Sequence, residues 1–365
     1  MGLVNKKNIK KMNNKYDVAL IGTSPVFMLE ALYQSKSGKS VLMIDNSSEI
    51  GGAWKSLNLF GISNIENAVH YLLEDKKCAQ FLENKLHLSL RRTKGKVRII
   101  QFFGIILKLK YDSILSRLLG IFFQNNTFPE KLLLIKSSLK KKRSLYLKKG
   151  SHDLVSRLAK LIKKNNINVL LKNEINLIDL SKKSIILLRT KNNIITVDNL
   201  FISNGSFLPT IKFKNNTLNV ENKYKPRPAM HILLYDTKIT HKECIFENDT
   251  LIKYVHDITH YSDLKDKKRY GKRVLVFALK THIKYSDKLP QELIKKLIKV
   301  GILSTKAKII DKKWHDIVLP PLEDSTLEMI YDKSNGRIKN LKTDTLSSAL
   351  GFNSSRWSEK IDFSE

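Results

Sequence analysis

The sequence YDVALIGTSPVF at residues 16–27, followed by SVLMID at 40–45, decides the fold. Residues 16–21 form a short apolar run with β-branched side chains, which indicates a buried parallel strand. A helix is predicted from the turn at Gly22 to about residue 35, and Gly38 ends it. Residues 40–45 then predict a second buried strand that ends in Asp45. The order strand, helix, strand therefore predicts a βαβ unit.

The turn after the first strand has the chemistry of a dinucleotide site. Such a turn directs backbone N–H groups and the positive end of the helix at a pyrophosphate. An acid at the end of the second strand can hydrogen-bond a ribose, and Asp45 follows Gly22 by 23 residues, near the usual spacing of about 20. We therefore predict an α/β fold with a Rossmann-like FAD/NAD(P)-binding domain, in which Gly22, Thr23 and Ser24 bind phosphate and Asp45 binds ribose.

The glycine fingerprint of this turn is incomplete. Ser24 and Phe27 stand where G-x-G-x-x-G has its second and third glycines. Ser24 is a good N-cap, and Pro25 suits the first helical position although it brings no N–H. The third glycine usually permits close helix–strand packing, which Phe27 would obstruct. Two alternatives therefore stay open: the unit binds a dinucleotide, or it is a vestigial fold that binds none.

The next residues, NSSEIGGAW at 46–54, add a Gly-Gly pair after the acid. Here the sequence resembles the two-domain FAD-binding superfamily of flavin amine oxidases, protoporphyrinogen oxidases, phytoene desaturases and UDP-galactopyranose mutases. The resemblance implies FAD as the cofactor, with Gly51, Gly52 and Trp54 near its diphosphate and flavin. It implies an oxidoreductase that moves a hydride from a C–N or C–C bond of a small-molecule substrate to the flavin. A redox-neutral sugar mutase is an alternative.

A second stretch, FGISNIENAVHYLL at 60–73, extends the resemblance. Relatives often have an acid, a small residue and a histidine here, near the isoalloxazine, and Glu66, Ala68 and His70 match that pattern. His70 is therefore the candidate catalytic residue, since a histidine beside a flavin can donate to its ring or position substrate. The alternative is a histidine of the core or the surface.

A third stretch begins at Lys149-Gly150-Ser151. Ser151 is placed to begin a helix with apolar residues at helical spacing, and a strand is predicted at 168–171. In the resembled families the position of Ile175 presents its backbone to the adenine. Residues 177–196 alternate apolar and charged side chains in short pieces, which predicts a β-meander that returns to the FAD sheet.

The resemblance implies a discontinuous domain organisation. We expect the FAD-binding domain to comprise residues 1–75, 148–210 and 326–365. A helical cap or substrate segment would occupy 76–147, and a mixed α+β substrate domain 211–325. The patterns there predict strands at 230–235, 250–256, 272–279 and 308–319, and a helix at 290–300.

The C-terminal residues match the families least well. Many members carry a Gly-Asp dipeptide before a helix whose N-terminus points at the flavin, and this chain has no Gly-Asp dipeptide. Asn335-Gly336-Arg337 followed by 342–350 is the nearest substitute, so Arg337 is predicted to support a phosphate or a flavin oxygen. A binding protein without redox activity therefore stays an alternative, as in the Rab GDP-dissociation inhibitors and escort proteins.

Composition limits the remaining possibilities. The 365 residues suggest about two domains, and 42% hydrophobic with 27% charged residues is typical of a globular chain. Two cysteines, Cys78 and Cys244, cannot form a disulfide scaffold or a zinc finger. His256 and His260 fall on a predicted strand, where they lie too far apart for one metal ion, so no metal site is expected.

The net charge of +32 favours an anionic partner or reflects a compositional bias towards lysine. No motif indicates specific nucleic-acid binding. Residues 97–147 are apolar and basic, with a dense run at 140–143, and predict helices that form either a cap or an amphipathic surface for anionic membrane. No signal peptide is visible, and the longest apolar stretch is too short to span a bilayer. We expect a cytoplasmic protein, with peripheral contact to a membrane as an open alternative.

Overall fold

A computed structural model describes residues 14–67, 70, 72–73, 76–92, 96–102, 105–110, 113–122, 144–191, 193–203, 205–206, 208–220, 226–236, 243–261, 271–318, 324–341 and 346–363. Its helices are α1 Pro25–Lys36, α2 Lys76–Gln80, α3 Ile114–Phe122, α4 Ser151–Lys164, α5 Leu289–Lys299, α6 Asp324–Lys333 and α7 Leu346–Lys360. Short 3₁₀ turns occur at Gly52–Trp54 and Thr259–Tyr261, and a π-helical turn at Phe81–Lys85.

The strands, in chain order, are β1 Lys15–Ile21, β2 Val41–Ile44, β3 Ser56–Leu59, β4 Ile62–Glu66, β5 Leu72–Leu73, β6 Leu90–Arg92, β7 Lys96–Phe102, β8 Ile105–Lys110, β9 Ser144–Leu147, β10 Asn168–Leu170, β11 Ile175–Asp179, β12 Ile186–Thr190, β13 Ile194–Ile202, β14 Thr210–Lys212, β15 Thr217–Leu218, β16 Pro226–Tyr235, β17 Glu243–Glu247, β18 Ile252–Asp257, β19 Lys272–Leu279, β20 Lys308–Val318 and β21 Ile338–Asn340.

The chain divides into two compact units. The first comprises the described parts of Met1–Gly52, Leu158–Lys223 and Pro320–Glu365, and the second those of Ala53–Arg157 and Tyr224–Leu319. Both units are discontinuous, and the described residues between 53 and 73 belong to the second. The domain boundaries given from the sequence remain a prediction.

The first unit is built on a nine-stranded sheet in the order β10-β2-β1-β13-β12-β11-β14-β15, with β21 also pairing with β13. Strands β10, β2, β1 and β13 run parallel, and β1, α1 and β2 form the predicted βαβ unit. The long strand β13 pairs antiparallel with β12 along its first half and parallel with β21 along its second. The predicted meander is therefore confirmed as β11, β12 and β13.

Burial explains why these segments are strands. All four side chains of β2 and the last four of β1 are buried, as expected of parallel strands covered on both faces. Helix α1 is buried nearly throughout and carries the fully buried Glu30. The Glu30 carboxylate accepts a hydrogen bond from Trp357 Nε1 at 3.1 Å and pairs with Arg356, which fastens α7 to α1.

The second unit contains a seven-stranded sheet in the order β20-β16-β19-β18-β17-β7-β8. One face packs against α5 through residues such as Met230, Phe277 and Leu293. The opposite face packs Val274 and Val276 against the β3–β4 hairpin. The strands predicted in 230–319 and the helix predicted at 290–300 are confirmed.

The helical prediction for residues 97–110 is wrong, because these residues form β7 and β8. Val97 and Ile99 are buried on the α5 face, while Arg98 between them is buried by an ion pair with Glu247 of β17. Because Arg98 is charged yet buried, the sequence does not show the alternation of apolar and polar residues that would indicate a strand. Among the described residues of 97–147, the helical prediction is confirmed for α3, Ile114–Phe122. Residues 123–143, which include the basic run at 140–143, lie outside the described residues. No helix among the described residues is long and apolar enough to cross a membrane.

Candidate cofactor and substrate sites

Four strands of the first unit end at one edge of its sheet. The main-chain N–H of Asp45, after β2, donates to the carbonyl of Leu170 at the end of β10, at 2.9 Å. The Ser206 hydroxyl, after β13, donates to the carbonyl of Ile21 at the end of β1, at 2.8 Å. The carboxyl ends of parallel strands are the usual ligand site of open α/β sheets. The structure thus brings the residues after β1, β2, β10 and β13 together there.

Gly22 begins the turn from β1 into α1. Its N–H donates to the carbonyl of Ile44 at 2.8 Å, and its φ of +125° is a conformation that side chains disfavour. A Cβ at this position would lie 3.1 Å from the Phe27 ring. That ring is 3% exposed whereas Gly22 is half-buried, so the ring packs against the turn from its buried side. The bulky residue at the third glycine position is therefore accommodated by the glycine at the first.

Ser24 is the N-cap of α1, with an extended backbone and a half-buried side chain. Its hydroxyl does not make the capping hydrogen bond to the helix, and Pro25 follows at the first helical position. The first turn has no acidic side chain, so nothing there opposes an anion. Val26 and Phe27 keep the main-chain N–H groups that Pro25 lacks.

Asp45 is held by two hydrogen bonds within the same edge. The Thr23 hydroxyl donates to one carboxylate oxygen at 2.6 Å, and the Ser47 N–H donates to the other at 2.9 Å. Thr23 is buried, while Asp45 is half-buried. Because each carboxylate oxygen has two acceptor positions, one position on each remains for the two hydroxyls of a ribose. The residue therefore fits the role that the sequence predicts.

The Gly51-Gly52 pair lies against the turn. The Gly51 N–H donates to the Thr23 carbonyl at 3.1 Å. A Cβ at Gly52, whose φ is +56°, would lie 3.4 Å from the Ser24 backbone. The absence of a side chain at Gly52 thus allows this segment to lie close to the turn at Gly22–Ser24.

The segment before β11 runs beside Asp45. The Lys172 N–H donates to the Ser47 carbonyl at 2.9 Å, and the Asn173 N–H donates to the Asp45 carbonyl at 3.1 Å. Ile175 opens β11 two residues later and is buried. The structure therefore brings the predicted adenine-side residue near the predicted ribose acid.

Arg337 occupies a different environment from the one predicted. Its guanidinium donates to the carbonyls of Lys182 at 2.9 Å, Ile185 at 3.2 Å and Leu180 at 3.4 Å, and its Nε donates to that of Ser334. These bonds fasten the β11–β12 connection to the residues before β21. The guanidinium is therefore engaged with main-chain carbonyls, and we leave Arg337 out of the cofactor set. Residues 342–345, part of the predicted Gly-Asp substitute, lie outside the described residues.

The second unit contains the other predicted residues. The rings of Trp54 and His70 are stacked with centroids 4.4 Å apart. His70 Nδ1 lies 3.9 Å from a carboxylate oxygen of Glu66, whose side chain is 1% exposed. Ala68, the third member of the sequence pattern, lies outside the described residues.

Glu66 joins several elements of the second unit. Its carboxylate accepts the N–H of Ser151, the first residue of α4, and so compensates the positive end of that helix. Burial, together with the charge of Glu66, raises the pKa of the Tyr146 hydroxyl well above its usual value. Tyr146 contacts Tyr261, with ring centroids 4.2 Å apart. Sequence reasoning missed Tyr146, because no local pattern marks it as a neighbour of Glu66.

Two stacked histidines support the backbone of Glu66. His231 Nε2 donates to the Glu66 carbonyl at 2.8 Å, which fixes the tautomer of this ring. His231 and His315 have ring centroids 4.7 Å apart. Burial lowers the pKa of His231 to about 3, and burial also lowers the pKa of His315. Both rings are therefore neutral near pH 7.

His256, which sequence reasoning left unranked beside Tyr254 and Tyr261, belongs to a separate cluster. Its Nε2 lies 3.7 Å from the Glu243 carboxylate, which pairs with Lys96 at 2.8 Å. Burial, and then Lys96, lower the pKa of His256. Within the described part of the chain, no group of three or more His, Cys, Asp or Glu side chains could hold a metal ion.

Comparisons with known proteins give matches among solved structures. No protein-family model and no curated protein matches the sequence. A putative protoporphyrinogen oxidase from Exiguobacterium sp. 255-15 superposes with a TM-score of 0.64 at 11% identity, over 95% of this chain and 99% of that one. Putrescine oxidase bound to putrescine superposes with a TM-score of 0.61 at 11% identity, over 94% of this chain and 98% of that one.

Cyclohexylamine oxidase from Brevibacterium oxydans IH-35A gives a TM-score of 0.59 at 12% identity, over 95% of this chain and 97% of that one. At these identities the likeness shows the fold. The chain shares an α/β fold with these oxidases, and the resemblance seen in the sequence is confirmed at the level of the fold.

Proposed function

We propose that this chain is an FAD-dependent oxidoreductase that takes a hydride from a C–N or C–C bond of a small molecule. The first unit would be a Rossmann-like FAD-binding domain and the second a substrate domain. One observation carries the proposal. The Gly22 turn, the Asp45 carboxylate and the Gly51-Gly52 pair are hydrogen-bonded to one another through Thr23 at the carboxyl edge of parallel strands. The cytoplasmic location expected from the sequence stays part of the proposal.

Each residue of this edge has a role that its environment supports. The Gly22–Ser24 turn and the N-terminus of α1 bind the pyrophosphate, where main-chain N–H groups and the helix dipole favour negative charge. Asp45 accepts the ribose hydroxyls with its remaining lone pairs, and Thr23 holds it in place. Gly51 and Gly52 allow close approach of the diphosphate. Ile175 presents its backbone to the adenine.

The second unit would act on the substrate. FAD, when bound, accepts the hydride, so the protein has to supply orientation and electrostatics. We keep Trp54 as a flavin-side residue and His70 as the candidate catalytic residue. The stack on Trp54 restrains the plane of the His70 ring, and Glu66 lies on its Nδ1 side. We assign the exchange of a proton with substrate to the Nε2 atom.

The cofactor content of the purified protein tests the proposal. The full chain, purified with added FAD, should show flavin absorbance at about one FAD per chain. Gly22→Asp places a carboxylate beside the pyrophosphate. Two like charges at about 4 Å cost about 4 kcal/mol at an effective dielectric constant of 20. The FAD Kd should therefore rise by about a thousandfold.

Gly38→Asp is the matched control, because Gly38 lies at the other end of α1. It also has positive φ, at +80°, and a Cβ there would meet nothing within 4 Å. This variant should keep FAD. Colourless wild-type protein that takes up no added FAD would reject the proposal in favour of a binding protein without redox activity. Bound FAD together with conversion of a sugar substrate without its net oxidation would favour the sugar-mutase alternative.

A further inference from the structure

Two histidines adjoin the segment that leads to the candidate catalytic residue. His231 of β16 and His315 of β20 are stacked, with ring centroids 4.7 Å apart and planes inclined by 28°. His231 is fully buried, and its Nε2 donates to the main-chain carbonyl of Glu66 at 2.8 Å. The main chain of Asn67, the next residue, opposes in part the effect of burial on the pKa of His315. The pair therefore adjoins two consecutive residues at the end of β4.

The strand register explains why the two rings meet there. His315 pairs with Ala229 of β16, and His231 lies two residues further along that strand, so both histidines project from one face of the sheet. Val276 of β19 pairs with His231 and packs on the same face against the β3–β4 hairpin. Glu66 is the last residue of that hairpin. The sheet thus presents the histidines to the main chain at the point where the hairpin ends.

The environment of His70 depends on the position of Glu66. The Glu66 carboxylate lies 3.9 Å from His70 Nδ1 and accepts the N–H of Ser151, the first residue of α4. The stack on Trp54, with centroids 4.4 Å apart, also restrains the His70 ring. A displacement of the Glu66 main chain would therefore withdraw the carboxylate from both His70 and the N-terminus of α4.

A proton on the histidine pair would weaken this support. His231 Nδ1 is buried and has no hydrogen-bond partner among the described residues, so a proton bound there would stay unpaired. Burial, and then the neighbouring His315, hold the pKa of His231 at about 3, against an ordinary value of 6.5. The protonated ring is stable only outside its buried position. Acid therefore favours release of the Glu66 carbonyl.

The charges around the pair do not compensate such a proton. The titratable and charged groups of the elements packed against it are Lys313 and Asp316 of β20, Glu66 of β4, Tyr146 of β9 and Tyr261 of the 3₁₀ turn. Asp316 raises the pKa of His315 and Lys313 lowers it. The Glu66 carboxylate is engaged by α4. Both tyrosines stay neutral, because burial raises their pKa values.

We infer that His231 and His315 are positioning residues for His70, which they hold through the main chain of Glu66 and release in acid. The inference rests on the proposed function for the role of His70. Its test uses the protein without FAD, so a chain that binds no FAD and a histidine pair that positions nothing give different results.

Hydrogen exchange of the full chain tests the inference. The protection factors of peptides that contain Ile62–Glu66 divide out the intrinsic effect of pH on exchange. They should fall about a hundredfold in the wild type between pH 7 and pH 4.5, since each pH unit below 6.5 favours the protonated ring about tenfold. His231→Gln should keep most of this protection, because its amide donates to the Glu66 carbonyl and cannot be protonated. His231→Leu should lose about fivefold already at pH 7, which corresponds to one hydrogen bond.

The emission of Trp54 reports on the ring stacked against it. It is obtained as the difference between each protein and its Trp54→Phe counterpart. The emission should move to longer wavelength in the wild type at pH 4.5 and in His231→Leu at pH 7, as the stack with His70 loosens and water enters. His231→Gln should keep the emission of the wild type at pH 7.

His256→Gln is the matched control. His256 is a buried histidine on the same face of the sheet, where it pairs with Val276, and burial lowers its pKa too. It lies beside Glu243, in the separate cluster of β17 and β18. This variant should match the wild type at both pH values, in the exchange of Ile62–Glu66 and in the emission of Trp54.

Four results would each overturn the inference. They are unchanged protection of Ile62–Glu66 in the wild type at pH 4.5, a loss there that His231→Gln does not prevent, an equal loss in peptides throughout the second unit, and lost protection with an unchanged Trp54 emission. An effect of His256→Gln equal to that of His231→Gln would do the same. If His231→Leu does not fold, the comparison of the wild type with His231→Gln decides alone.

Discussion

The two units build their candidate sites in opposite ways. The first unit uses main-chain groups and glycines at a half-buried edge, with Asp45 as its carboxylate. The second unit gathers ionisable side chains away from water, around Glu66 and the neutral rings of His231 and His315. A backbone site is sensitive to added side chains and indifferent to pH, whereas a buried ionisable cluster is sensitive to both charge and pH. The distinction gives three predictions.

The largest effect is expected at Gly150, where the second unit also depends on a glycine. Its φ is +88°, and a Cβ would lie 2.6 Å from the Glu66 carboxylate and 3.0 Å from the Tyr261 carbonyl. Gly150→Ala must therefore displace Glu66 from the N-terminus of α4. We expect a loss of about 4 kcal/mol in the free energy of unfolding, from strain and a broken buried hydrogen bond. Urea denaturation followed by tryptophan fluorescence measures it.

Gly61→Ala is the control for this prediction. Gly61 belongs to the same unit and has a φ of +68°, but a Cβ there would meet nothing within 4 Å. Gly61→Ala should lower the free energy of unfolding by about 1 kcal/mol, which is the ordinary penalty of a side chain at positive φ. Equal losses in the two variants would show that Gly150 is needed only for its backbone conformation and that the contact with Glu66 is unimportant.

The second prediction concerns pH. The ordinary pKa of His231 is 6.5, and burial lowers it to about 3 in the folded protein. Between these values the unfolded chain binds a proton that the folded protein does not, so stability falls as pH is lowered below 6.5. His256 and His315 act in the same direction, because burial also lowers their pKa values. Each histidine contributes at most about 1.4 kcal/mol per pH unit.

His231→Gln should reduce the slope of the free energy of unfolding against pH by the amount that corresponds to about one proton. The glutamine amide nitrogen can donate to the Glu66 carbonyl as the histidine does, but it cannot be protonated. Urea denaturation repeated from pH 7 to pH 4.5 measures the slope of the free energy of unfolding. The control is His282→Asn, which replaces an exposed histidine and should leave the slope unchanged. A slope that His231→Gln does not alter would contradict the interpretation of His231 as a buried neutral ring.

The same distinction explains what the sequence could predict. Residues 16–45 and the Gly-Gly pair are local patterns, and Gly22, Asp45, Gly51 and Gly52 lie close to one another in sequence, so they could be named in advance. Leu170 and Ser206 join the same edge from far along the chain, and no local pattern identifies their hydrogen bonds to it. The Glu66 cluster joins residues far apart in the chain, such as Tyr146 and His231, and no periodicity identifies such neighbours. Its two predicted members, Glu66 and His70, came from the resemblance.

The wrong predictions have the same cause. Arg98 looks like a surface residue of a helix, but Glu247, which lies 149 positions away, buries it in a sheet. Arg337 follows a glycine turn that suggests a phosphate site, but its partners are the carbonyls of the β11–β12 connection. In both cases a long-range hydrogen bond determines the role of the arginine, and the residues next to the arginine in sequence do not indicate that bond.

The smallest effect is expected at Thr23, which links the parts of the first unit's edge. Thr23→Val keeps the shape but removes the donor to Asp45 and an acceptor for the Gly51 N–H, at 2.6 Å and 3.2 Å. One such bond contributes about 1 kcal/mol, so the FAD Kd should rise about fivefold as the carboxylate loses its orientation. Titration of the apoprotein with FAD measures the change. Thr210→Val, which removes the hydroxyl that bonds Asn219 at 3.1 Å in the same unit, should leave the Kd as it is. An unchanged Kd for Thr23→Val would mean that Asp45 holds the ribose without help, and the edge would then be organised by its main chain alone.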